Sequence, residues 1–209
     1  MSRIAYVNGR YVPHRAAQVH VEDRGYQFAD GVYEVCEVRG GRLVDERRHM
    51  DRLERSLSEL RIAMPMRRNA LGMVLRETVA RNRVRDGIVY LQVTRGVARR
   101  DHAFPAAGTA PRIVVTAKNY DLEKNELAAG DGIPVISVPD NRWERVDIKS
   151  ISLLPNVLAK QAAREAFITS ATQFVTPVVR IDGKPVGNGA PGLIASALRH
   201  DYHAHAEIA

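Results

Sequence analysis

Residues 22–34 read EDRGYQFADGVYE. This run begins with charged and small residues and passes into an alternating apolar pattern from Tyr33 to Val38. Alternation with a period of two is typical of a half-buried β-strand. Gly40 and Gly41 then turn the chain back. Residues 22–34 therefore lead into a hairpin, and they resemble neither ordinary core nor ordinary surface.

Further elements flank this run on both sides. Upstream, Asn8-Gly9 lies between apolar and aromatic residues and predicts a type I′ hairpin over residues 4–12. Downstream, apolar residues spaced by three and four predict helices, and short apolar runs predict strands. These elements are helices over about residues 46–62 and 68–82, and strands over residues 88–94 and 113–117.

The charged stretch 119–132 predicts a linker between a small N-terminal domain, 1–118, and a larger C-terminal domain, 133–209. The second domain is expected to contain strands, a hairpin and two helices. We place a strand at residues 133–138, a helix whose first turn holds Pro155, strand-like residues 167–181, a hairpin at Asp182-Gly183, and a last helix from near Leu193. Hairpins without regular βαβ units predict an α+β fold with two domains.

Composition limits the class of protein. A chain of 209 residues with 45% hydrophobic residues can fill a core, and 26% charged residues is an ordinary value for a globular protein. The net charge is +7, but pairs of arginines are scattered along the chain. This distribution favours a solvated basic surface over a nucleic-acid footprint. Aromatic residues, at 6%, are too few for a single-strand binding platform.

Cys36 is the only cysteine, so the sequence excludes an intrachain disulfide and a metal–thiolate cluster. We interpret His200, His203 and His205 as a polar tail rather than a metal site. The N-terminus lacks an apolar signal region, and no apolar run approaches membrane-spanning length. We expect a cytoplasmic protein with no membrane partner.

Two more segments look specialised: QVTRGVARRDH at 92–102, and DIKS at 147–150 followed by LLPNVLAKQ at 153–161. With residues 22–34, they resemble, in order, the fold-type-IV (class IV) pyridoxal-phosphate aminotransferases, most closely the D-amino-acid aminotransferases. The resemblance covers almost the whole chain. It implies the two-domain α+β fold of that family, bound pyridoxal 5′-phosphate and a homodimer. The implied reaction transfers an amino group between D-amino acids and 2-oxo acids.

Lys149 is the predicted catalytic residue. A Schiff base needs a lysine that can be neutral, which requires partial burial. Lys149 lies between apolar Ile148 and the Ile151–Leu154 stretch, unlike the solvated Lys184. The resemblance implies that Lys149 carries the cofactor and moves a proton at the substrate α-carbon.

Arg52, Ser170 and Ala171 are the predicted phosphate contacts. A phosphate favours a bidentate cation, and arginine has that geometry. Met50 falls on the apolar helix stripe, so Arg52 lies beside it, and the resemblance implies that Arg52 holds the cofactor phosphate. Ser170 lies in a strand-end segment that cups the phosphate in relatives. Many relatives have threonine where this chain has Ala171, which removes one hydroxyl contact.

Tyr33, Arg100 and His102 match the substrate-carboxylate trap of the D-amino-acid enzymes. The resemblance implies that the Arg100-x-His102 loop reaches into the partner subunit's site. Arg99 adjoins Arg100, but the spacing to His102 favours Arg100. Glu34 is interpreted as a structural or supporting residue.

One part of the family pattern is missing. In relatives, a Thr-Glu-Gly-Ser-Ser-type segment supplies the carboxylate for the pyridine nitrogen, and a Gly-x-Thr-Arg turn follows; neither occurs here. The helical pattern through Arg164–Ala166 also meets a strand pattern at Phe167 with no turn between them. Either the full protein has several dozen further residues at this junction that this sequence and its numbering omit, or the chain has a true internal deletion. We expect the first, with neighbouring α-carbons near residue 166 separated well beyond about 3.8 Å.

Two other functions stay open at this point. An aminodeoxychorismate lyase-like enzyme of the same fold would use the same lysine, but Arg100 and His102 argue against it. An inactive remnant or a basic binding protein is favoured only if the deletion is real.

Overall fold

The computed structural model describes residues 3–140, 142–162 and 175–208, and these fall into two compact units. The first contains the described chain up to Tyr120, together with Glu144–Ser152 and Ile208. The second contains the described residues of Asp121–Trp143 and Leu153–Glu207. The predicted break at Arg164–Phe167, and the predicted contacts Ser170 and Ala171, lie outside the described residues.

A six-stranded antiparallel sheet forms the centre of the first unit. Its strands are β1 (Ile4–Val7), β2 (Arg10–Pro13), β3 (Gly31–Arg39), β4 (Arg42–Leu43), β5 (Gly87–Thr94) and β6 (Arg112–Asn119). They lie in the order β2-β1-β6-β5-β3-β4. β3 pairs with β5 from Gly31↔Thr94 to Val38↔Gly87. Tyr33 and Glu34 are successive residues of β3, so their side chains lie on opposite faces of the sheet.

Three α-helices complete the first unit: α1 (Arg24–Phe28), α2 (Glu46–Glu59) and α3 (Arg68–Arg81). The apolar stripes of α2 and α3 pack on alternate residues of the sheet, as their spacing predicts. The core they form includes Val32, Cys36, Val38, Leu53, Leu57, Leu71, Leu75, Val89, Leu91, Val93 and Val115. Full burial of an aliphatic side chain of this size is worth about 1.5–3 kcal/mol.

The Asn8-Gly9 hairpin is confirmed: both residues have positive φ, 47° and 95°, between the paired strands β1 and β2. The predicted end of α2 at Ile62 is wrong. Arg61 adopts a left-handed φ of 53°, and the Ile62 amide donates to the Leu57 carbonyl at 2.9 Å. This closing turn ends a helix while returning the next residue to the core. Ile62 is therefore buried outside the helix, which explains why the apolar period continues through it.

Helix α1 depends on a tightly packed N-terminus. The Asp23 side chain accepts from the Gly25 amide at 2.8 Å and from the Thr94 hydroxyl at 3.1 Å. A side chain at Gly25 would collide with Thr94. Gly96 has a φ of 108°, and a side chain there would collide with the Ala110 carbonyl. Glycine is thus required at both positions. At Gly25 the reason is the close approach of Thr94, and at Gly96 it is both the positive φ and the close approach of the Ala110 carbonyl.

In its described residues, the second unit contains a small mixed sheet and three helices. They are α4 (Leu122–Asp131), β7 (Ile133–Val135), α5 (Leu154–Ala162), β8 (Val178–Ile181), β9 (Lys184–Pro185) and α6 (Leu193–His205). β7 pairs parallel with β8, and β8 pairs antiparallel with β9. The hairpin at Asp182-Gly183 is confirmed, since both residues have positive φ between β8 and β9.

The structure differs from the predicted organisation in four further places. The stretch 119–132, predicted as a linker between domains, contains the end of β6 at Asn119 and helix α4 at Leu122–Asp131. The strand predicted over 133–138 stops at Val135, since the Asp182 carboxylate accepts from the Ser137 amide and hydroxyl. The C-terminal histidines lie on α6 rather than on a tail. Glu144–Ser152 belongs to the first compact unit, although the sequence assigns it to the C-terminal domain.

Among the described helices, none has the length and apolar character needed to cross a membrane.

Candidate functional site

Backbone hydrogen bonds hold the Lys149 segment beside the first residues of β3. The Tyr33 amide donates to the Lys149 carbonyl at 3.0 Å, and the Ile151 amide donates to the Gly31 carbonyl at 3.1 Å. Ile148 and Ser150 on either side are buried, while Lys149 itself is half-buried. These two buried neighbours anchor the segment, and the lysine is not an ordinary surface residue.

The lysine amine lies on an aromatic surface. Lys149 Nζ is 4.2 Å from the centroid of the Tyr33 ring. Tyr33 in turn stacks on Tyr90, with ring centroids 5.8 Å apart. Burial raises the pKa of Tyr90 to about 12, and its hydroxyl donates to Gln92 at 2.7 Å. Tyr90 therefore packs against the Tyr33 ring, and the Tyr33 ring in turn positions the Lys149 amine.

Arg52 on α2 forms a bidentate salt bridge with the fully buried carboxylate of Glu34. Arg52 Nε and Nη2 donate to the two oxygens of Glu34 at 2.6 and 2.7 Å. His49 Nδ1 lies 2.8 Å from Glu34 Oε2. Because an ionised carboxylate only accepts, this nitrogen carries the proton. The Glu34 side chain is 0% exposed and the Arg52 side chain 45% exposed, so the guanidinium is anchored on its buried side and open on the other.

The same helix also contacts the lysine segment. Ser56, one turn beyond Arg52 on α2, is buried, and its hydroxyl oxygen lies 3.4 Å from the Lys149 amide. Residues four apart lie on one helix face. Arg52 and the Lys149 backbone are therefore both fixed relative to one face of α2.

Arg100 and His102 form a separate group around Phe28. The Arg100 guanidinium lies 4.8 Å from the Phe28 ring centroid, and the His102 ring centroid lies 5.4 Å from it. Both residues are exposed on the loop between β5 and β6. In the described part of the chain, Lys149 and Tyr33 contact each other, while Arg100 and His102 contact Phe28.

The residues around Arg52 are only partly predictable from the sequence. The sequence predicts Glu34 only as a supporting residue and gives no role to His49. One signal was available, since His49 and Arg52 are three residues apart on a helix and so share a face. Helix spacing does not indicate that Glu34 on β3 is the partner of both residues.

Acid should weaken the first unit through Glu34. Burial raises the pKa of its carboxyl, but the hydrogen bonds and charges of Arg52 and His49 outweigh burial and lower the pKa below the ordinary value of 4.5. A lowered folded pKa contributes stability that is present above the ordinary value and is lost as pH falls through the folded value. We expect the urea midpoint to fall below pH 4.5, and more steeply in the wild type than in Glu34→Gln. Parallel pH profiles for the two proteins would contradict this assignment.

Comparison with known proteins gives both a family and relatives. The family model described as class IV amino-transferase matches residues 31–172. The chain is 44% identical over 159 residues to a D-alanine aminotransferase of Bacillus licheniformis, covering 76% of this chain and 55% of that protein. It is 41% identical over 158 residues to a D-alanine aminotransferase of Staphylococcus haemolyticus, with the same coverage. The chain thus spans about half the length of the curated relatives it matches.

Solved structures agree on the fold. A branched-chain aminotransferase from the thermophilic archaeon Thermoproteus uzoniensis, with norvaline, superimposes with a TM-score of 0.81 at 14% identity, covering 97% of this chain and 94% of that chain. The branched-chain amino acid aminotransferase from Escherichia coli gives 0.77 at 15% identity, covering 98% and 94%. Identities this low bear on the fold alone, and they agree with the α+β fold-type-IV prediction. Since the family model covers most of the sequence, the chain belongs to the class IV aminotransferases.

Proposed function

We propose that the protein transfers amino groups between D-amino acids and 2-oxo acids with pyridoxal 5′-phosphate held on Lys149. The observation that carries the proposal is the position of Lys149, half-buried beside β3 with its amine on the Tyr33 ring. The relatives named above, which are D-alanine aminotransferases at 41% and 44% identity, favour a D-amino acid as substrate.

The described residues fit such a cofactor. Its aldehyde requires a primary amine, and its phosphate requires a fixed cation with a free edge. Arg52 uses Nε and Nη2 on Glu34, and in the described part of the chain no hydrogen bond engages Nη1. That nitrogen is available to a phosphate oxygen. We also assign Ser170 and Ala171 to the phosphate site on the strength of the family resemblance.

Lys149 is the proposed catalytic residue. Pyridoxal 5′-phosphate, when bound, supplies an electron sink for the bond that breaks at the substrate α-carbon. Lys149 Nζ is the amine that would hold the cofactor aldehyde, and once the substrate amine had replaced it, Nζ would accept the proton from the substrate α-carbon as a general base. Lys149 would then donate that proton as a general acid, and a water molecule would release the 2-oxo acid and leave the amino group on the cofactor. The Tyr33 ring lies 4.2 Å from Nζ and so positions the amine of the free lysine.

Arg100, His102 and Tyr33 are proposed to bind the substrate carboxylate. The Arg100 and His102 side chains are exposed and cluster on Phe28 rather than on Lys149. This supports a homodimer in which Arg100 and His102 serve the site of the second copy. In such a homodimer each Lys149 would be served by the other copy's loop.

Arg100→Ala should raise the KM for D-alanine while cofactor affinity stays near its original value. A hydrogen bond to a charged group is worth about 1.5–3 kcal/mol, which corresponds to roughly a tenfold to hundredfold change in KM. Arg99→Ala is the matched control, since it removes the same side chain from the adjacent exposed position. A variant that lost cofactor but kept its substrate preference, or an equal effect of Arg99→Ala, would show the assignment to be wrong.

The proposed function is tested on the purified chain with added pyridoxal 5′-phosphate. We expect a visible absorption band, borohydride-dependent fixation of the cofactor to protein, and formation of pyruvate from D-alanine with 2-oxoglutarate as acceptor. Pyruvate from aminodeoxychorismate without an acceptor would instead indicate a lyase. Tight, salt-sensitive nucleic-acid binding without colour would indicate a basic binding protein.

A further inference from the structure

A buried cluster of three charged residues lies beside the loop that carries Arg100 and His102. Asp30 receives two hydrogen bonds from Arg95, at 2.7 and 3.0 Å, and one from Arg24 Nε at 2.8 Å. Arg24 is 4% exposed and Arg95 7% exposed. Burial raises the pKa of the Asp30 carboxyl, but the hydrogen bonds and charges of both arginines outweigh burial and lower it. The proposed reaction uses none of the three.

Arg24 connects this cluster to the loop. Its Nη1 donates to the Asp101 carbonyl at 2.6 Å, and Asp101 lies between Arg100 and His102. Its guanidinium also lies 4.8 Å from the Phe28 ring centroid, the same ring that Arg100 and His102 contact. One side chain therefore fixes both the backbone of the pair and the ring on which the pair rests.

Arg95 fixes the cluster to the body of the unit. Its guanidinium donates to the Leu60 and Arg61 carbonyls at 2.9 and 3.2 Å, at the end of α2. It also lies 4.0 Å from the ring centroid of Phe104, farther along the same loop. The loop is thus tied at two points, through Asp101 and Phe104, to a cluster anchored on α2.

We infer that Arg24 is a positioning residue that sets the place of Arg100 and His102, and that Asp30, itself bound by Arg95, holds Arg24 in position. A buried ion pair contributes little net stability because desolvation offsets its attraction, but its hydrogen bonds fix a geometry. Binding a carboxylate in a reactive orientation demands such fixed geometry. The inference rests on the proposed function for the identity of the ligand, but the placement of the loop does not depend on it.

Arg24→Lys tests the inference, because lysine keeps the charge but cannot hold Asp30 and the Asp101 carbonyl at once. We expect amide hydrogen exchange over residues 97–104 to accelerate about tenfold while β3 and β5 keep their protection. We also expect the KM for D-alanine to rise about tenfold, with kcat and borohydride-fixed cofactor close to wild type. Asp30→Asn should show the same pattern, and it replaces Arg24→Lys if that variant fails to fold.

Glu37→Gln is the control for a merely structural effect. Glu37 is a buried carboxylate on β3 that accepts from Arg39 and Tyr120, away from the loop. It should lower thermal stability without changing exchange over residues 97–104 or the KM. If Arg24→Lys behaves like Glu37→Gln, the role of Arg24 is structural only and the inference is overturned.

A double-mutant cycle separates action through Arg100 from independent action. If Arg24 acts through Arg100 and His102, then Arg24→Lys should raise the KM by a smaller factor in an Arg100→Ala background than in the wild type, because only His102 is left to be positioned. Additive effects would overturn the inference. Failure of the wild type to fix cofactor would reject the proposed function, whereas the hydrogen-exchange comparison would still test the placement of the loop.

Discussion

Lys149→Ala is expected to abolish turnover and borohydride-dependent fixation of the cofactor. The substitution removes the only proposed covalent attachment point together with the general base. Loss of general acid–base catalysis alone costs about 10²–10⁴ in rate. Far-UV circular dichroism and the urea midpoint should stay near wild type, since the side-chain contact that is lost is the one with the Tyr33 ring, worth about 0.5–1 kcal/mol.

Two other lysines serve as matched controls. Lys160 on α5 and Lys184 on β9 are both exposed. Lys160→Ala and Lys184→Ala should retain cofactor fixation and turnover. Peptide mapping of the borohydride-reduced wild type should find the cofactor on Lys149. Recovery on Lys160 or Lys184 would show that the catalytic lysine has been misassigned.

Elements with a regular period could be predicted from the sequence. The stripe of Met50, Leu53 and Leu57 located α2, and Asn8-Gly9 located the first hairpin. The charged stretch that forms α4 was assigned as a linker, because without an apolar stripe its polar composition suggested a loop. Helix α1 was not predicted, since five residues are too few to show a period and its N-terminus depends on Thr94.

The candidate site could be predicted only where a motif identified a residue directly. Lys149 followed from the Asp-Ile-Lys-Ser run. Interactions between distant segments left no local pattern: Glu34 is 18 positions from Arg52, and Asp30 is 65 positions from Arg95. An acidic residue at a buried position of a strand must have a hydrogen-bond partner. Which residue is the partner depends on how α2 packs on the sheet, and the local sequence does not give this.

Glu34→Gln is expected to lower the free energy of unfolding at neutral pH by about 3 kcal/mol. This is the lower end of the cost of breaking a buried ion pair, because Arg52 keeps access to water on one side. The glutamine offers one acceptor in place of two, and its amide group faces the donors of Arg52 and His49. Urea denaturation followed by circular dichroism measures the loss.

Glu77→Gln provides the comparison for Glu34→Gln. Glu77 pairs with Arg81 one turn away on α3, and both side chains are nearly half exposed. An exposed pair of this kind contributes about 0.3–0.5 kcal/mol. If Glu34 anchors the phosphate-binding arginine, Glu34→Gln should also weaken pyridoxal 5′-phosphate binding, whereas Glu77→Gln should not. Equal losses of stability in the two variants would mean that the Glu34 carboxylate does not hold Arg52, and unchanged cofactor affinity in Glu34→Gln would remove Arg52 from the phosphate site.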